Sequence, residues 1–455
     1  MLAIFGLIIV VGFMTLIMTK KATPFTALAL VPLLVGIITG LISRTEYSAS
    51  DIAKFALAGL TGNSSLDHPV SGIAGTAIML LFAILYFGLM LTAGLFDPVV
   101  AFILRIVKGD PLKVMVGTAV LALAVSVDGD GSTTTLVVCS ALIPVYKQLK
   151  MKMMDLAVII ILGNSIMNLL PWGGPTARII SALGVDEGVL LRKIVPGMLI
   201  ASVWVIAVAF IRGRAERKRL GVVTQTEADI AEVRAQQHAT DAELSRPKMI
   251  WFNLALTVVM LVILIFGDIW IIPKVNAAVI FAVGLAIAMT INYRSLKNQR
   301  EIIEKYGSSA LHVVIMVLGA GIFMGILIGT GMSDAMGRAL ADWMPDFLGS
   351  HWAIVTAVVS APGTFLLSND AFYYGVLPVL NEVGLKNGFE AMDMAVASTV
   401  GQAFHLLSPL VGFIYLLLHL TGVDMGAWQR KTAKWALGTF AIFLLSILTF
   451  GGVPA

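Results

Sequence analysis

The sequence is poor in cysteine and in charge. Its 455 residues include one cysteine, Cys139, which excludes an internal disulfide and a cysteine-based metal cluster. Charged residues make up 13% of the chain and hydrophobic residues 58%, whereas soluble domains carry about 25% charged residues. A Gly-rich phosphate-binding motif ending in Lys-Ser or Lys-Thr is also missing, which argues against transport driven by ATP. These deficits indicate a multi-pass protein of the lipid bilayer.

Many apolar segments approach the roughly 20 residues that span a bilayer as a helix. The first, Leu2–Met18, ends at Lys20-Lys21 and lacks the features of a signal peptide, so we expect a retained span. Short loops rich in Lys and Arg stay in the cytoplasm, and Arg212–Arg219 is the strongest case. The net charge of +4 comes from such loops and does not indicate a nucleic-acid partner.

Two polar sequences interrupt apolar segments that are too short for full crossings. Segments 114–127 and 136–147 flank Asp128–Thr135, and the basic clusters on both sides are predicted to be cytoplasmic. A re-entrant hairpin with this polar tip resolves the conflict. A second hairpin, 352–382, is predicted to enter from the opposite side with Ser368-Asn369-Asp370 at its tip. Non-helical backbone at such depth lines a cavity or is buried in protein, so both tips are expected at a site.

The two halves of the chain carry matching motifs. Gly88-x5-Gly94-x2-Asp97 recurs as Gly325-x5-Gly331-x2-Asp334, Gly163-x7-Pro171 recurs as Gly401-x7-Pro409, and Pro144 corresponds to Pro378, at separations of 234 to 238 residues. We therefore predict an all-α polytopic membrane protein built as an inverted-topology repeat. Each repeat has five spans plus a re-entrant hairpin, with broken helices at the midplane, where such folds place substrate and ion sites.

The predicted segments follow in chain order. The first repeat, 1–212, comprises scaffold spans within 1–106 (2–19, 24–43 and 72–106), hairpin 112–149, broken span 155–182 and span 194–211. A cytoplasmic linker, 213–248, is expected to be partly helical from Glu227 to about Gln237. The second repeat, 249–455, comprises scaffold spans within 250–345 (250–270, 275–292 and 308–341), hairpin 352–382, broken span 392–420 and span 432–450.

The first broken span carries Pro171-Trp172-Gly173-Gly174-Pro175, which cannot form an unbroken helix. The freed carbonyls of its first half suit a cation, and the N-terminus of its second half, with Gly173, Gly174 and Thr176, suits an anion. Asn164 and Asn168 lie four residues apart and therefore share one helix face. Two roles remain open for these amides: binding a ligand, or hydrogen bonding between helices.

Arg178 is the one Lys or Arg well inside this span. A guanidinium can hold a carboxylate through two parallel hydrogen bonds, so Arg178 is a candidate for binding an anionic substrate. The alternative is an internal salt bridge to Asp128, Asp130 or Asp370. In the second broken span, His405 is a candidate proton carrier or metal ligand, or a hydrogen-bonded packing residue, and Ser408 precedes the helix-breaking Pro409.

Carboxylates at membrane depth are costly and usually mark a site. Asp128, Asp130 and Asp370 are therefore candidates for holding a metal ion or a proton, together with His405. Asp130, which precedes Ser132 by two residues, is also the best candidate for a helix cap. The tip residues Ser132, Thr133, Thr134, Ser368 and Asn369 are candidates for substrate binding. Hard oxygen ligands favour Mg²⁺ or Ca²⁺ over softer metals.

At these residues the chain resembles the CitMHS family of bacterial citrate–divalent-metal/proton symporters. The similar stretches are Asp130–Val137, Asn168–Arg178, Leu367–Tyr373 and His405–Leu410. The resemblance covers nearly the whole chain except the charged linker, and the Pro-Trp-Gly-Gly-Pro-Thr-Ala-Arg run is specific.

The resemblance implies import of citrate with protons across the bacterial cytoplasmic (inner) membrane, with Mg²⁺ or Ca²⁺ as part of the substrate and no tightly bound cofactor. The family is similar in fold to divalent-anion/sodium symporters. That kinship implies a homodimer in which a transport domain, containing both hairpins and both broken spans, moves against a scaffold domain as an elevator. Added carboxylates at the tips make a plain sodium site less certain.

Other functions remain as alternatives. A sodium-coupled di- or tricarboxylate transporter is the nearest, and an ion channel is more distant. An intramembrane hydrolase with Asp128 and Asp370 as a carboxylate pair lacks support, because no nucleophile-plus-base arrangement accompanies them and shifted carboxylates occur in ion sites as readily as in catalysis. We therefore do not expect an enzyme.

Overall fold

In the computed structural model the chain is helical, with one isolated β-bridge between Asn63 and Val70. The structure describes residues 1–42, 47–70, 72–107, 109–222, 244–270, 275–343 and 345–454. Within these ranges, seven helices are long and apolar enough to cross a membrane, and five shorter apolar helices accompany them. The predicted all-α membrane fold is confirmed at this level.

The helices of the first half are α1 (Leu2–Met18), α2 (Pro24–Ile42), α3 (Ala49–Thr61), α4 (Ala74–Ala93), α5 (Asp97–Val107), α6 (Pro111–Val125), α7 (Gly131–Gln148), α8 (Met153–Met167), α9 (Gly174–Leu183) and α10 (Glu187–Leu220), with a 3₁₀ turn at Ser126–Asp128.

The helices of the second half are α11 (Ile250–Trp270), α12 (Ala277–Asn292), α13 (Leu296–Gly329), α14 (Met332–Trp343), α15 (Asp346–Gly349), α16 (Trp352–Leu366), α17 (Leu377–Lys386), α18 (Ala391–Thr399), α19 (Gln402–His405), α20 (Gly412–Thr421) and α21 (Met425–Thr449). A 3₁₀ turn at Pro247–Met249 precedes α11, and a π-helical turn at Ala371–Val376 leads into α17.

Two predicted continuous spans are each divided by a glycine. The segment predicted as 72–106 consists of α4 and α5, and the segment predicted as 308–341 consists of α13 and α14. Gly94 and Gly331 separate the helices with positive φ angles of 89° and 70°, a conformation that interrupts a right-handed helix and favours glycine. The repeated Gly-x5-Gly-x2-Asp motif thus has the same local structure in both halves.

Helix α3 is an element that the sequence analysis missed. It crosses α13 at a point where the two backbones touch: Gly59 of α3 faces Gly321 and Gly325 of α13. A capping box between Ser48 and Asp51 begins the helix, which satisfies backbone N–H groups at its first turn.

Paired helices and helix breaks occur within the segments discussed above as hairpins and broken spans. Helices α6 and α7 are the arms of the first hairpin, and α16 and α17 are the arms of the second. The chain leaves the helical path between α8 and α9, around Pro171, and again between α19 and α20, around Pro409. Proline explains both breaks, because it removes a backbone donor and clashes with the preceding turn.

The linker prediction needs one correction. Helix α10 continues to Leu220, so the first eight residues of the predicted linker 213–248 are helical. Arg217, Lys218 and Arg219 occupy its last turn, where positive charge interacts favourably with the helix dipole. The predicted helix from Glu227 to about Gln237 lies outside the described residues.

Two groups of helices each pack around one long helix. Helix α13 contacts α2, α3 and α4, while α10 contacts α6, α8 and α21. Helix α9 contacts both α4 and α13 and also the turn of the second hairpin. The segment after the first helix break therefore lies at the boundary between the groups.

We predict that Gly325→Ala lowers the unfolding temperature in detergent. A Cβ at Gly325 would lie 2.7 Å from the Gly59 nitrogen and 2.8 Å from its Cα, and overpacking of this kind costs about 1–3 kcal/mol. Gly307→Ala on the same helix is the matched control, because a Cβ there meets nothing within 4 Å. Equal unfolding temperatures for the two variants, measured by intrinsic fluorescence, would show that the α3–α13 crossing is not tightly packed.

Candidate functional site

A cavity of about 540 Å³ lies between the two groups of helices. Its walls come from α4, α13, the tip of the first hairpin and the start of α9, with Tyr374 from the second hairpin. The charged and polar side chains that line it are Asp128, Asp130, Ser132, Thr133, Arg178, Lys305, Tyr306, Ser309 and Tyr374, and Gly174 contributes backbone.

The tip of the first hairpin is organised by its two aspartates. Asp130 caps α7: its carboxylate accepts hydrogen bonds from the backbone N–H of Ser132 (3.1 Å) and Thr133 (3.0 Å), and from the Thr133 hydroxyl (2.7 Å). The capping role predicted for Asp130 is confirmed. Asp128 Oδ1 accepts the Asp130 N–H at 2.9 Å. Since Asp130 is occupied as a cap, Asp128 is the tip carboxylate better placed to meet a ligand.

The tip of the first hairpin contacts the non-helical segment between α8 and α9. Trp172 Nε1 donates to the Val127 carbonyl at 2.7 Å, which fixes the end of the 3₁₀ turn. Gly129 has a φ of +80°, and a Cβ there would lie 3.1 Å from the Cα of Gly173. Glycine at position 129 therefore lets the hairpin tip approach the break closely. Thr176 donates to the Leu169 carbonyl at 2.7 Å, satisfying one group freed by the break.

Arg178 forms an ion pair that joins the two halves of the chain. Its Nε donates to Asp370 Oδ1 at 2.7 Å, and its Nη1 donates to the Gly174 carbonyl at 2.6 Å. The two charged side chains are 15% and 13% exposed. Of the partners considered from the sequence, Asp370 is the one bonded to Arg178 in this conformation. Because Arg178 also lines the cavity, the guanidinium can be reached by an anion from there.

Several predicted ligand residues form an interior network beside the first tip. Asn164 Nδ2 lies 3.3 Å from Ser126 Oγ and 3.5 Å from Thr134 Oγ1, and the two hydroxyls lie 3.0 Å apart. Asn164 and Thr134 are fully buried and stand behind the cavity wall. Hydrogen bonding between helices, one of the two roles considered for the amides, is therefore the role that Asn164 has here. Asn168 is also buried.

The second tip and the second broken span form a similar interior network. Gln402 Nε2 donates to Asn369 Oδ1 at 3.0 Å and to the Tyr373 hydroxyl at 2.8 Å. His405 Nδ1 donates to the Thr364 carbonyl at 2.7 Å. Ser368 Oγ accepts from the Ala371 N–H and Ser408 Oγ accepts from the Leu410 N–H, each at 3.2 Å.

The structure thus sorts the predicted site residues into two sets. The set that lines the cavity is Asp128, Asp130, Ser132, Thr133, Gly174 and Arg178. The set that lies outside the cavity wall is Thr134, Asn164, Asn168, Gly173, Thr176, Ser368, Asn369, Asp370, His405 and Ser408. The Arg178–Asp370 ion pair connects the two sets. Asp128 lines the cavity, whereas Asp370 lies outside its wall and is bonded to Arg178, so the two aspartates do not face each other across the cavity.

Four charged or polar cavity residues are absent from the predicted site. Three of them, Lys305, Tyr306 and Ser309, belong to α13, which begins at Leu296, whereas the predicted span begins at residue 308. Tyr374 is 1% exposed, and its hydroxyl has no hydrogen-bond partner among the described residues. Gly88 of α4 is a sequence signal that could have indicated a bulky side chain here. It leaves room for Tyr306, because a Cβ at Gly88 would lie 2.6 Å from Cδ1 of the Tyr306 ring.

The described residues contain no cluster of three or more His, Cys, Asp or Glu side chains that could hold a metal ion. Asp128, Asp130 and Asp370 thus do not form one coordination shell in this conformation. A divalent cation in the cavity would need oxygen ligands beyond these three carboxylates.

Comparison with known proteins identifies relatives over the full length. The family model described as "Citrate transporter", CitMHS, matches residues 13–401. The chain is 44% identical to a "Citrate transporter" of Bacillus subtilis (strain 168) over 451 residues, 99% of each chain. It is 40% identical to a "Mg(2+)/citrate complex secondary transporter" of the same organism over 453 residues, 100% of this chain and 99% of the relative.

Two solved structures share the fold at low sequence identity. The YdaH transporter of Alcanivorax borkumensis matches with a TM-score of 0.58 and 14% identity, covering 93% of this chain and 99% of that one. MtrF of Neisseria gonorrhoeae, described with a class of antimetabolite efflux pumps, matches with a TM-score of 0.59 and 14% identity, covering 94% and 95%. At this identity the likeness concerns the fold alone.

We predict a large coupling energy between Arg178 and Asp370. In a double-mutant cycle of Arg178→Gln and Asp370→Asn, unfolding in SDS should give about 1–3 kcal/mol of coupling, because each single variant leaves a largely buried partner unsatisfied.

The matched control for this cycle is the surface pair Arg338–Asp334, also 2.7 Å apart but 63% and 30% exposed. Its coupling should be at most about 1 kcal/mol, since solvent weakens such pairs. Equal coupling in both cycles would contradict a special role for the interior pair.

Proposed function

The chain belongs to the CitMHS citrate transporter family, and from this premise we propose that it is a secondary active importer of a divalent-metal–citrate complex coupled to protons. Mg²⁺ or Ca²⁺ is the accompanying ion, and it travels as part of the substrate. The Mg(2+)/citrate transport named for the relative of 40% identity supports this choice of cargo.

The observation that carries the proposal is the mixed charge of the cavity. Arg178 offers donors to carboxylates, while Asp128 offers oxygen to a cation, and both line the same 540 Å³ space. A metal–citrate complex presents both kinds of partner, since it contains a divalent cation and carboxylates. In our account the metal faces Asp128, and the citrate carboxylates face Arg178, the start of α9 and the Tyr374 hydroxyl.

The Arg178–Asp370 ion pair provides a route to proton coupling. In this conformation Asp370 is bonded to Arg178. If Asp370 takes up a proton, its attraction for the guanidinium falls, and a substrate carboxylate can replace it. Proton and substrate then bind together, which a symporter requires. On release of both, the ion pair forms again and neutralises the two charges at membrane depth.

The two groups of helices support a proposed elevator mechanism. In this account α1–α4 and α11–α14 belong to the scaffold, while the hairpins, the broken spans, α10 and α21 form the transport domain. The inverted repeat is supported by the Gly-x5-Gly-x2-Asp motif, which has the same conformation in both halves. A homodimer in the bacterial inner membrane completes the proposal. The cavity between the groups would then be one side of an alternating-access path.

We predict that uptake of radiolabelled citrate into proteoliposomes needs both a divalent metal and an inward proton gradient. With a metal chelator, uptake should fall to the level of protein-free liposomes, because Asp128 loses its cationic partner. After the gradient is collapsed with a protonophore, accumulation of citrate above the external concentration should stop, because its driving force is lost. Full uptake under both treatments would refute the proposal.

We further predict that Asp370→Asn separates binding from coupling. The asparagine mimics the protonated acid, so Mg–citrate binding should persist as pH rises, while wild-type binding weakens. Arg178→Gln should reduce affinity about 10- to 100-fold at every pH, because charge-assisted hydrogen bonds contribute about 1.5–3 kcal/mol. Calorimetry at matched pH values makes the comparison, because citrate itself titrates.

The matched control for this pH series is Asp334→Asn, which lies outside the cavity and should follow the wild type. Other titratable or charged groups near the pair are Asp128, Tyr374, His405 and Lys305. If the affinity of Asp370→Asn for Mg–citrate falls with rising pH as that of the wild type does, the proton is assigned to one of these groups instead of Asp370.

A sodium-coupled carboxylate transporter is the second candidate. Asn164 Oδ1 and Gln402 Oε1 are buried, and neither has a hydrogen-bond partner among the described residues. Neutral oxygens of this kind can bind a hard cation. Replacing sodium with choline during uptake separates the candidates: transport that stops favours sodium coupling, and transport that continues favours protons.

A further inference from the structure

A second, apolar cavity of about 330 Å³ opens on the outer surface of the protein, between α5, α6 and α10. Its lining includes Phe102 and Ile103 of α5, Val116 and Val120 of α6, and Phe210 of α10. Phe102, Val120 and Phe210 are 63%, 39% and 47% exposed. In a protein that spans a membrane, such exposed apolar side chains face lipid. We call this cavity the α5–α6 groove.

The shape of the groove follows from a close helix contact. A Cβ at Gly117 would lie 2.6 Å from Ile103 Cγ2, so glycine allows α5 to pack directly on α6. Lys113, Val116, Gly117 and Val120 are spaced at three or four residues and share one face of α6. The groove therefore runs along α6 for about 10 Å, from Lys113 to Val120.

Positive charge is concentrated at one end of the groove. Lys113 lines it at the start of α6, and Arg214 lies four residues after Phe210 on the same face of α10. Both side chains are exposed, and neither forms an ion pair with a described carboxylate. Their neighbour Arg217, in contrast, is paired with Asp110 at 3.5 Å. The positive-inside rule predicts that this end faces the cytoplasmic leaflet.

We propose that the α5–α6 groove binds one acyl chain of an anionic phospholipid, with the head group held by Lys113 and Arg214. The apolar walls match the chain, and the two basic residues match the phosphate. Basic residues at the membrane surface attract anionic lipids. Helix α5 also connects α4, assigned above to the scaffold, to the first hairpin, so a lipid here contacts the connection between the two proposed domains.

The test is native mass spectrometry of the delipidated full chain with dioleoyl-phosphatidylglycerol or dioleoyl-phosphatidylcholine added. The wild type should bind phosphatidylglycerol more tightly. Lys113→Gln combined with Arg214→Gln should weaken that binding about 30-fold, since each basic residue near the surface contributes about fivefold, and should leave phosphatidylcholine binding unchanged. Val120→Trp should weaken the binding of both lipids, because the indole fills the groove.

The control variants lie outside the groove. Leu199→Trp places an indole on α10 at a position that is 62% exposed, and Lys297→Gln removes an exposed charge from α13; both should bind lipid as the wild type does. Equal wild-type affinities for the two lipids, or no effect of Val120→Trp, would overturn the proposal. The assay measures binding alone, so its outcome is independent of the citrate proposal.

A second copy of the chain is the competing occupant of the groove. Phe102→Cys tests this in membranes, because the native Cys139 is buried and gives no background. A disulfide between two chains at this position would place a second copy on the groove and overturn the lipid assignment, and its absence supports lipid.

Discussion

The ion pair between Arg178 and Asp370 is the interaction on which the rest of the site depends. Two opposite charges at membrane depth are tolerable only because they neutralise each other, and the geometry is good, with 2.7 Å between Nε and Oδ1. The pair also ties α9, from the first half of the chain, to the tip of the second hairpin. In the proposed mechanism, a proton compensates Asp370 when a substrate carboxylate takes its place on Arg178.

A second constraint acts on the broken helices and hairpin tips: backbone N–H and C=O groups that have no partner within a helix need hydrogen bonds from elsewhere. In the first half, Thr176 and Trp172 donate to carbonyls that no helix uses. Asp130 supplies the acceptor for two N–H groups at the start of α7. These bonds make a non-helical segment stable away from water. They also leave Asp128, Gly174 and Arg178 at the cavity, where a charged cargo can meet them.

The sequence predicted the unusual backbone better than it predicted the cavity. Proline, glycine and isolated aspartates locate the tips and breaks, because these residues act through local backbone chemistry. Which side chains line the cavity depends instead on how the helices pack. Asn164 and Thr134 are buried behind the cavity wall. Segments distant in sequence contribute Lys305, Tyr306 and Tyr374 to the cavity. Helix α3 was missed because its short apolar run falls below the length of a span. The separation of α4 from α5 depends on one left-handed glycine, Gly94, which apolar content does not reveal.

The central claim is that a proton on Asp370 releases Arg178 for a substrate carboxylate. Infrared difference spectroscopy tests it most directly, with isotope-labelled citrate used to shift the bands of the substrate itself. Addition of Mg–citrate to the wild type should produce the C=O band of a protonated carboxylic acid, and Asp370→Asn should remove it. A spectrum without that band, or the same band in Asp370→Asn, would contradict the account.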